Sequence, residues 1–472
     1  MRYFLAALFL LGAHASLIGP AQATTPVNYG LFGDVHVAGA SDSPKQLAIL
    51  VSDRSGWDDR AESLANALGD HGTLVLGIDL PAYWEVMNSI KRNKCSLPSV
   101  HIQEMSDWMQ RHFGLKEHRY PVLIGDGAGA SFAYAVNGQG PRGEFTALVT
   151  LGWDFSLRLP KNLCHGDAGA VSIAVDDGIY QLVPIPLLPN PWLPLPYAQG
   201  AKRNGGLQMI DELRQSLPLQ FLPSEPESDE QLTAAINTIA APTESALPAE
   251  MADLPLVVVP AEGRPAKHVA IILTGDGGWQ GLDIAVANQL AKRGIPVVAL
   301  STLRFFWNTR TPVDAAAAVT RIISHYAGDY PNSDFVVIGY SFGASLAPVV
   351  INLLTDTTRE RIAAQVLISP DEDASFEIHV GGSDSVKSDN AVPIAPEIDQ
   401  TKVPVICVHG EREGDDSFCA QLRGKPKVSD LALPGGHNYD GDYDALGAGI
   451  AQSLPSRHAL PLTNFLTRMF NR

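Results

Sequence analysis

Gly339-Tyr-Ser341-Phe-Gly343 sets a serine between two glycines, directly after the apolar run Phe335–Ile338 and before the small-residue stretch Ala344–Leu354. A strand that turns sharply into a helix needs room on both sides of the turn, and the residue at its tip is left projecting, as a serine nucleophile must be. A serine hydroxyl attacks only when a base removes its proton, and histidine has the ordinary pKa suited to that task near neutrality. Leu433-Pro-Gly-Gly-His437 supplies one on a Gly-rich loop far downstream. A carboxylate must then hold the imidazole in one tautomer, and Glu413, Asp415 and Asp416 all lie between Gly410 and Cys419. Glu413 has the commoner spacing from Gly410. Asp416 stands where a Cys407–Cys419 bridge would pin the loop, and it is the expected third member because a staple orients. The chemistry of such a set is acyl transfer to serine and then to water.

Those groups need rigid elements beneath them. Val336–Ile338, Gln365–Ser369, Val403–His409 and Asp430–Leu433 read as buried strands separated by helical stretches, which predicts a doubly wound, mostly parallel α/β sheet with its active groups at the carboxyl ends of the strands. Nucleophile, acid and histidine occur in that chain order. The helix after Ser341 is expected over 344–354, with Pro348 in its first turns. For the oxyanion that forms when serine attacks, one donor is the backbone N–H of Phe342; the other comes from the loop Thr274-Gly-Asp276-Gly277-Gly278, from Asp276 or Gly277. The Asp276 charge would repel an oxyanion if turned inward, and suits a cationic group on a substrate.

The whole unit occurs twice. Gln46–Trp57 followed by Thr73–Asp79 aligns with His268–Trp279 followed by Ile295–Leu300, with Trp57 on Trp279 and Ala65-Asn66 on Ala287-Asn288. In the first copy the elbow reads Gly125-Asp-Gly127-Ala-Gly129, so the nucleophile position holds a residue with no side chain. A non-catalytic copy follows.

The expected organisation is a secretory leader over 1–23, a degenerate domain over 24–222 with a Pro-rich extended arm at 182–196, a linker over 223–254 rich in acid, Pro and Ala, and a catalytic domain over 255–472. A basic residue, a short apolar core and Ala21-Gln-Ala23 mark the leader, which implies export to an oxidising compartment such as a bacterial periplasm. Four cysteines there are expected to pair within each half, Cys95–Cys164 and Cys407–Cys419. With 51 acidic against 34 basic residues the net charge is -17, which excludes a nucleic-acid binder and favours neutral or cationic partners. No metal or cofactor signature stands out.

Thr274-Gly-Asp-Gly-Gly-Trp279, Gly339–Ala344, Asp416-Ser-Phe-Cys419 and Gly436-His437 together resemble the VirJ/AcvB family of bacterial periplasmic virulence-associated proteins. The VirJ-like part covers about 255–472, and the additional first half is similar to the longer, two-domain AcvB form. The resemblance implies tandem α/β-hydrolase-like domains with the N-terminal copy degenerate, a catalytic pair of Ser341 and His437, and hydrolysis of aminoacyl-phosphatidylglycerol, chiefly the lysyl form, at the periplasmic membrane surface. The alternative is a non-enzymatic adaptor or chaperone for secretion-system components.

Overall fold

The computed structural model describes residues 25–455, except 91–94, 141–142, 154–155, 165–170, 186–187, 189, 196–228, 240–246, 264–266 and 379–390. The expected leader lies outside the described residues. Among the described residues no helix is long and apolar enough to cross a membrane.

Strands made almost wholly of Val, Ile, Leu and Ala can shed water from both faces. In the first half, β1 (Val27–Tyr29), β2 (Gly33–Ala38), β3 (Gln46–Val51), β4 (Thr73–Ile78), β5 (Val122–Asp126) and β6 (Ala147–Leu151) are followed by β7 (Ser156–Arg158), β8 (Ser172–Asp176) and β9 (Ile179–Leu182), which form a small antiparallel sheet, and by β10 (Trp192–Leu195). The large sheet runs β1-β2-β4-β3-β5-β6-β10 and is parallel from β4 onward. The second half contributes β11 (Leu256–Val259), β12 (His268–Leu273), β13 (Val297–Leu300), β14 (Asp334–Tyr340), β15 (Ile362–Ile368), the short pair β16 (Asp373–Ala374) and β17 (Val392–Pro393), β18 (Val405–Gly410) and β19 (Val428–Leu433). Its sheet runs β11-β13-β12-β14-β15-β18-β19, antiparallel only at β11. From β2 and from β11 the two orders correspond over six strands, and β19 extends the second beyond the match. This is the α/β-hydrolase arrangement, present twice.

Alternation within each strand divides the core. Leu47, Ile49 and Val51 of β3 join one apolar cluster and Ala48 and Leu50 the cluster on the opposite face; Phe335 and Val337 of β14 are likewise separated from Val336 and Ile338. Both faces are therefore covered, as a parallel sheet requires.

One local expectation holds and two need correction. The Pro-rich arm is extended as expected, and packed: Trp192–Leu195 is the edge strand β10, Trp192 is buried, and its indole Nε1 donates to Thr150 Oγ1 at 3.0 Å. Pro194 is tolerated because an edge strand has one side with no ladder to serve. The stretch 223–254 is more than a linker, since it contains the helix Asp229–Ile239. There Leu232, Ala235, Ile236 and Ile239, one helical stripe, pack with Leu64 and Leu68 of the helix Asp59–Asp70; the acidic composition concealed the period. The elbow helix begins at Phe342 and ends at Leu353, so Pro348 sits beyond its first turn and removes an internal hydrogen bond. Burial of Ala344–Ile351 offsets that loss.

Cys95 is bonded to Cys164 and Cys407 to Cys419. The halves also meet. Trp307, 1% exposed, donates its indole N–H to the Leu115 carbonyl at 2.7 Å, lies under the Arg111 guanidinium at 3.8 Å, and its own carbonyl accepts from Arg111.

Candidate active site

The glycine frame of each elbow is set by backbone crowding. A Cβ on Gly339 would lie 2.3 Å from the Gly343 carbonyl oxygen, and one on Gly343 would lie 2.1 Å from that of Leu273; in the first copy, Cβ atoms on Gly125 and Gly129 would each meet a carbonyl oxygen at 2.3 Å. No side chain fits either place. The tip residues share one conformation: φ 48°, ψ −114° at Ser341 and φ 53°, ψ −116° at Gly127. Glycine adopts a positive φ freely and serine does not, so the second half holds strain that the first has shed.

That turn brings Ser341 to His437. Ser341 Oγ is 3.3 Å from His437 Nε2. On the other side of the ring, His437 Nδ1 is 3.9 Å from Glu413 Oε2, ion-pair distance and longer than a hydrogen bond. Glu413 is itself fixed: its Oε1 accepts from Ser369 Oγ at 2.8 Å and from the Gly410 N–H at 3.0 Å, and Ser369 Oγ is 3.0 Å from the Tyr439 hydroxyl. The carboxylate facing the imidazole is thus Glu413, not Asp416. Asp415 and Asp416 are exposed at the far end of the turn Glu411–Asp416. The reason is local: three residues past Gly410, a glutamate reaches back to cap the Gly410 N–H, which swings it toward the histidine loop, whereas the Cys407–Cys419 bridge pins the helix Phe418–Leu422 beyond the turn. The two loops are held together by the bidentate pair of Arg412 and Asp440, and by contact so close that a Cβ on Gly410 would lie 2.4 Å from the Gly436 carbonyl oxygen.

Phe342 is the first residue of its helix, where no internal carbonyl is available to its N–H. Among the described residues neither that N–H nor the Asp276 N–H has a partner. The Gly277 N–H is taken, donating to Asp276 Oδ1 at 3.0 Å. Of the two loop donors expected, Asp276 is the one left open, and its carboxylate is occupied with its own neighbour.

The mouth is acidic. Burial raises the Asp371 carboxyl above its ordinary pKa; the His437 charge pulls it down, while Asp276, Asp373 and Glu413 push it up. Asp371 stands three residues past the end of β15, a position not singled out from the sequence, nor were Ser369 and Tyr439. Beneath the loop, Asp283 is fully buried, with Oδ2 3.4 Å from the Gly275 N and Oδ1 without a hydrogen-bond partner among the described residues. Burial drives its carboxyl well above the usual aspartate range. The folded state therefore keeps a proton that the unfolded chain releases near pH 3.9, so stability is full below about that pH and falls as pH rises toward the folded value. Asp283→Asn, which cannot ionise, is expected to match wild type in Tm near pH 4 and exceed it near pH 8. Thermal unfolding across that range checks this, and parallel Tm profiles would remove the buried-acid account.

The first-half counterpart is closed as well as unarmed. The Ala128 N–H, equivalent to that of Phe342, is capped by Asp53 Oδ1 at 2.7 Å, and Arg60 pairs with buried Asp126 beside the Gly127 tip at 2.7 Å. An oxyanion would find its donor already occupied.

Residues 267–458 match the family described as bacterial virulence protein (VirJ). The likeness to the VirJ family thus lies within the C-terminal half. Ser341, His437, Glu413 and the 274–279 loop all fall inside that VirJ match. No curated protein matches the chain. Similar solved structures include Est1E from Butyrivibrio proteoclasticus at 16% identity and TM-score 0.32, covering 42% of this chain and 91% of that one. An alpha-beta serine hydrolase homologue from Coxiella burnetii is similar at 14% identity and TM-score 0.30, over 42% and 91%. A probable hydrolytic enzyme from Pseudomonas aeruginosa PAO1 is similar at 14% and 0.32, over 43% and 89%. At these scores the likenesses bear on no point of chemistry.

Proposed function

We propose that the VirJ-like half is an exported serine esterase that hydrolyses the aminoacyl ester of aminoacyl-phosphatidylglycerol, the lysyl form foremost, from the periplasmic face of the membrane. The observation that carries the hydrolase reading is the line Ser341 Oγ, His437, Glu413, with two N–H groups open beside the serine. Ser341 attacks the ester carbonyl while His437 Nε2 takes its proton, and the Phe342 and Asp276 N–H groups receive the oxyanion. The glycerol hydroxyl of the lipid leaves with that proton. Water, deprotonated by His437, then releases the amino acid from Ser341. Glu413 stabilises the imidazolium throughout. Asp276 and Asp371 give the mouth the sign that a lysyl or α-ammonium group requires, and this supports a cationic acyl group over a neutral one. The lipid itself rests on the family resemblance.

Purified mature protein is expected to release lysine from lysyl-phosphatidylglycerol in mixed micelles faster than alanine from the alanyl lipid, and both faster than it cleaves a short nitrophenyl ester. A reversed order would overturn the lipid assignment and leave a general esterase. The closed first-half site favours one other reading, a binding module for secretion components. Folded protein that cleaves none of the three esters would establish that reading over catalysis.

A further inference from the structure

The loop that offers the Asp276 N–H is fastened from the other half of the chain. Trp279 N donates to the hydroxyl of Tyr120, a half-buried first-half residue, at 3.3 Å. The same hydroxyl occupies the space that a side chain at position 278 would fill, since a Cβ on Gly278 would lie 2.4 Å from it. Two further first-half contacts grip the loop: Gln103 Nε2 reaches Gln280 Oε1 at 3.5 Å, and a Cβ on Gly143 would stand 2.6 Å from the Trp279 carbonyl oxygen.

The duplication supplies an internal control. In the first copy the matching Trp57 N–H is held within its own half, by Asp79 Oδ2 at 3.0 Å, and a Cβ on Gly56 would lie 2.9 Å from that oxygen. Asp79 directly follows β4; the residue that directly follows the equivalent strand β13 is Ser301, and among the described residues the Trp279 N–H bonds to Tyr120 rather than to Ser301. The second loop lacks the fastener that its counterpart carries and takes one from the first half instead.

We propose that Tyr120 is a positioning residue for the oxyanion donor at Asp276, and that the silent half acts as a built-in prop for the catalytic loop. The inference rests on the hydrolase reading above. Two residues separate Trp279 from Asp276 along a tight turn closed by the Gly278 N–H to the Gly275 carbonyl at 3.0 Å, so release at Trp279 loosens the donor. Tyr120→Phe keeps the ring and removes the acceptor.

In the full chain, Tyr120→Phe is expected to speed hydrogen–deuterium exchange at the Trp279 amide by about 10-fold or more, with exchange elsewhere unchanged. It should also lower kcat on the ester about 10-fold at unchanged KM, because a donor misplaced in the transition state costs rate rather than ground-state binding. Affinity for a boronic acid that mimics the oxyanion should fall in proportion. A merely structural tyrosine would lower Tm and leave kcat and boronate affinity alone, which would overturn the proposal, as would unchanged exchange at Trp279. Wild type that cleaves no ester defeats the hydrolase reading and the catalytic role with it; the exchange measurement still decides whether the prop exists.

Discussion

Ser341→Gly is expected to abolish ester hydrolysis while making the protein more stable. Loss of a triad nucleophile costs about 10,000-fold or more in kcat, because the remaining base, carboxylate and oxyanion donors have nothing to activate. The stability gain comes from the same atoms. Ser341 sits at φ 48° and ψ −114°, within a few degrees of the conformation that Gly127 adopts at the first elbow. A non-glycine residue held there costs about 1–2 kcal/mol, part of which glycine returns to the unfolded chain as entropy, so a net gain of about 1 kcal/mol is expected. Kinetics on the lysyl lipid and thermal unfolding of the two proteins side by side test both halves of the statement. A variant that keeps activity would remove Ser341 from the chemistry, and one with a lower Tm would remove the strain argument.

Glu413→Gln is the second large effect. Glutamine retains an acceptor for the Ser369 hydroxyl and the Gly410 N–H, so the loop keeps its cap. What it loses is the charge opposite His437 Nδ1. Substituting the carboxylate of such a set by its amide drops kcat by roughly 1,000- to 10,000-fold through the wrong imidazole tautomer and an unsupported imidazolium, with little change in KM. Asp416→Asn, in an exposed carboxylate that does not face the ring, is expected to stay within about 2-fold of wild type. Steady-state kinetics of the pair decide between the acids. If Asp416→Asn is the crippled variant, the loop rearranges when substrate binds.

The two acids show where sequence reading stops. Glu413 and Asp416 lie three residues apart in one turn, both acidic, both close to the same disulfide. The choice between them depends on the capping bond from Glu413 to the Gly410 N–H, which exists only once β18 has ended and the Glu411–Asp416 turn has closed. Ser369 and Tyr439 were invisible for a related reason: each carries an ordinary hydroxyl, and only the meeting of the ends of β15 and β18 with the histidine loop gives the two hydroxyls a common partner. The helix Asp229–Ile239 is hidden by composition, where acid and proline outweigh the stripe from Leu232 to Ile239.

The sequence by itself determined the duplicated unit, the two elbows, the silent state of the first and the chain order of serine and histidine. Each of these depends on backbone crowding or on a missing side chain within a few residues, so residue type at fixed spacing records it directly. Only the tertiary structure decided which carboxylate faces the imidazole, which loop N–H stays open, and that Tyr120 of one half fastens the loop of the other. Those outcomes turn on side-chain direction and on surfaces brought together from distant parts of the chain, and such distances leave no local pattern of residues to read.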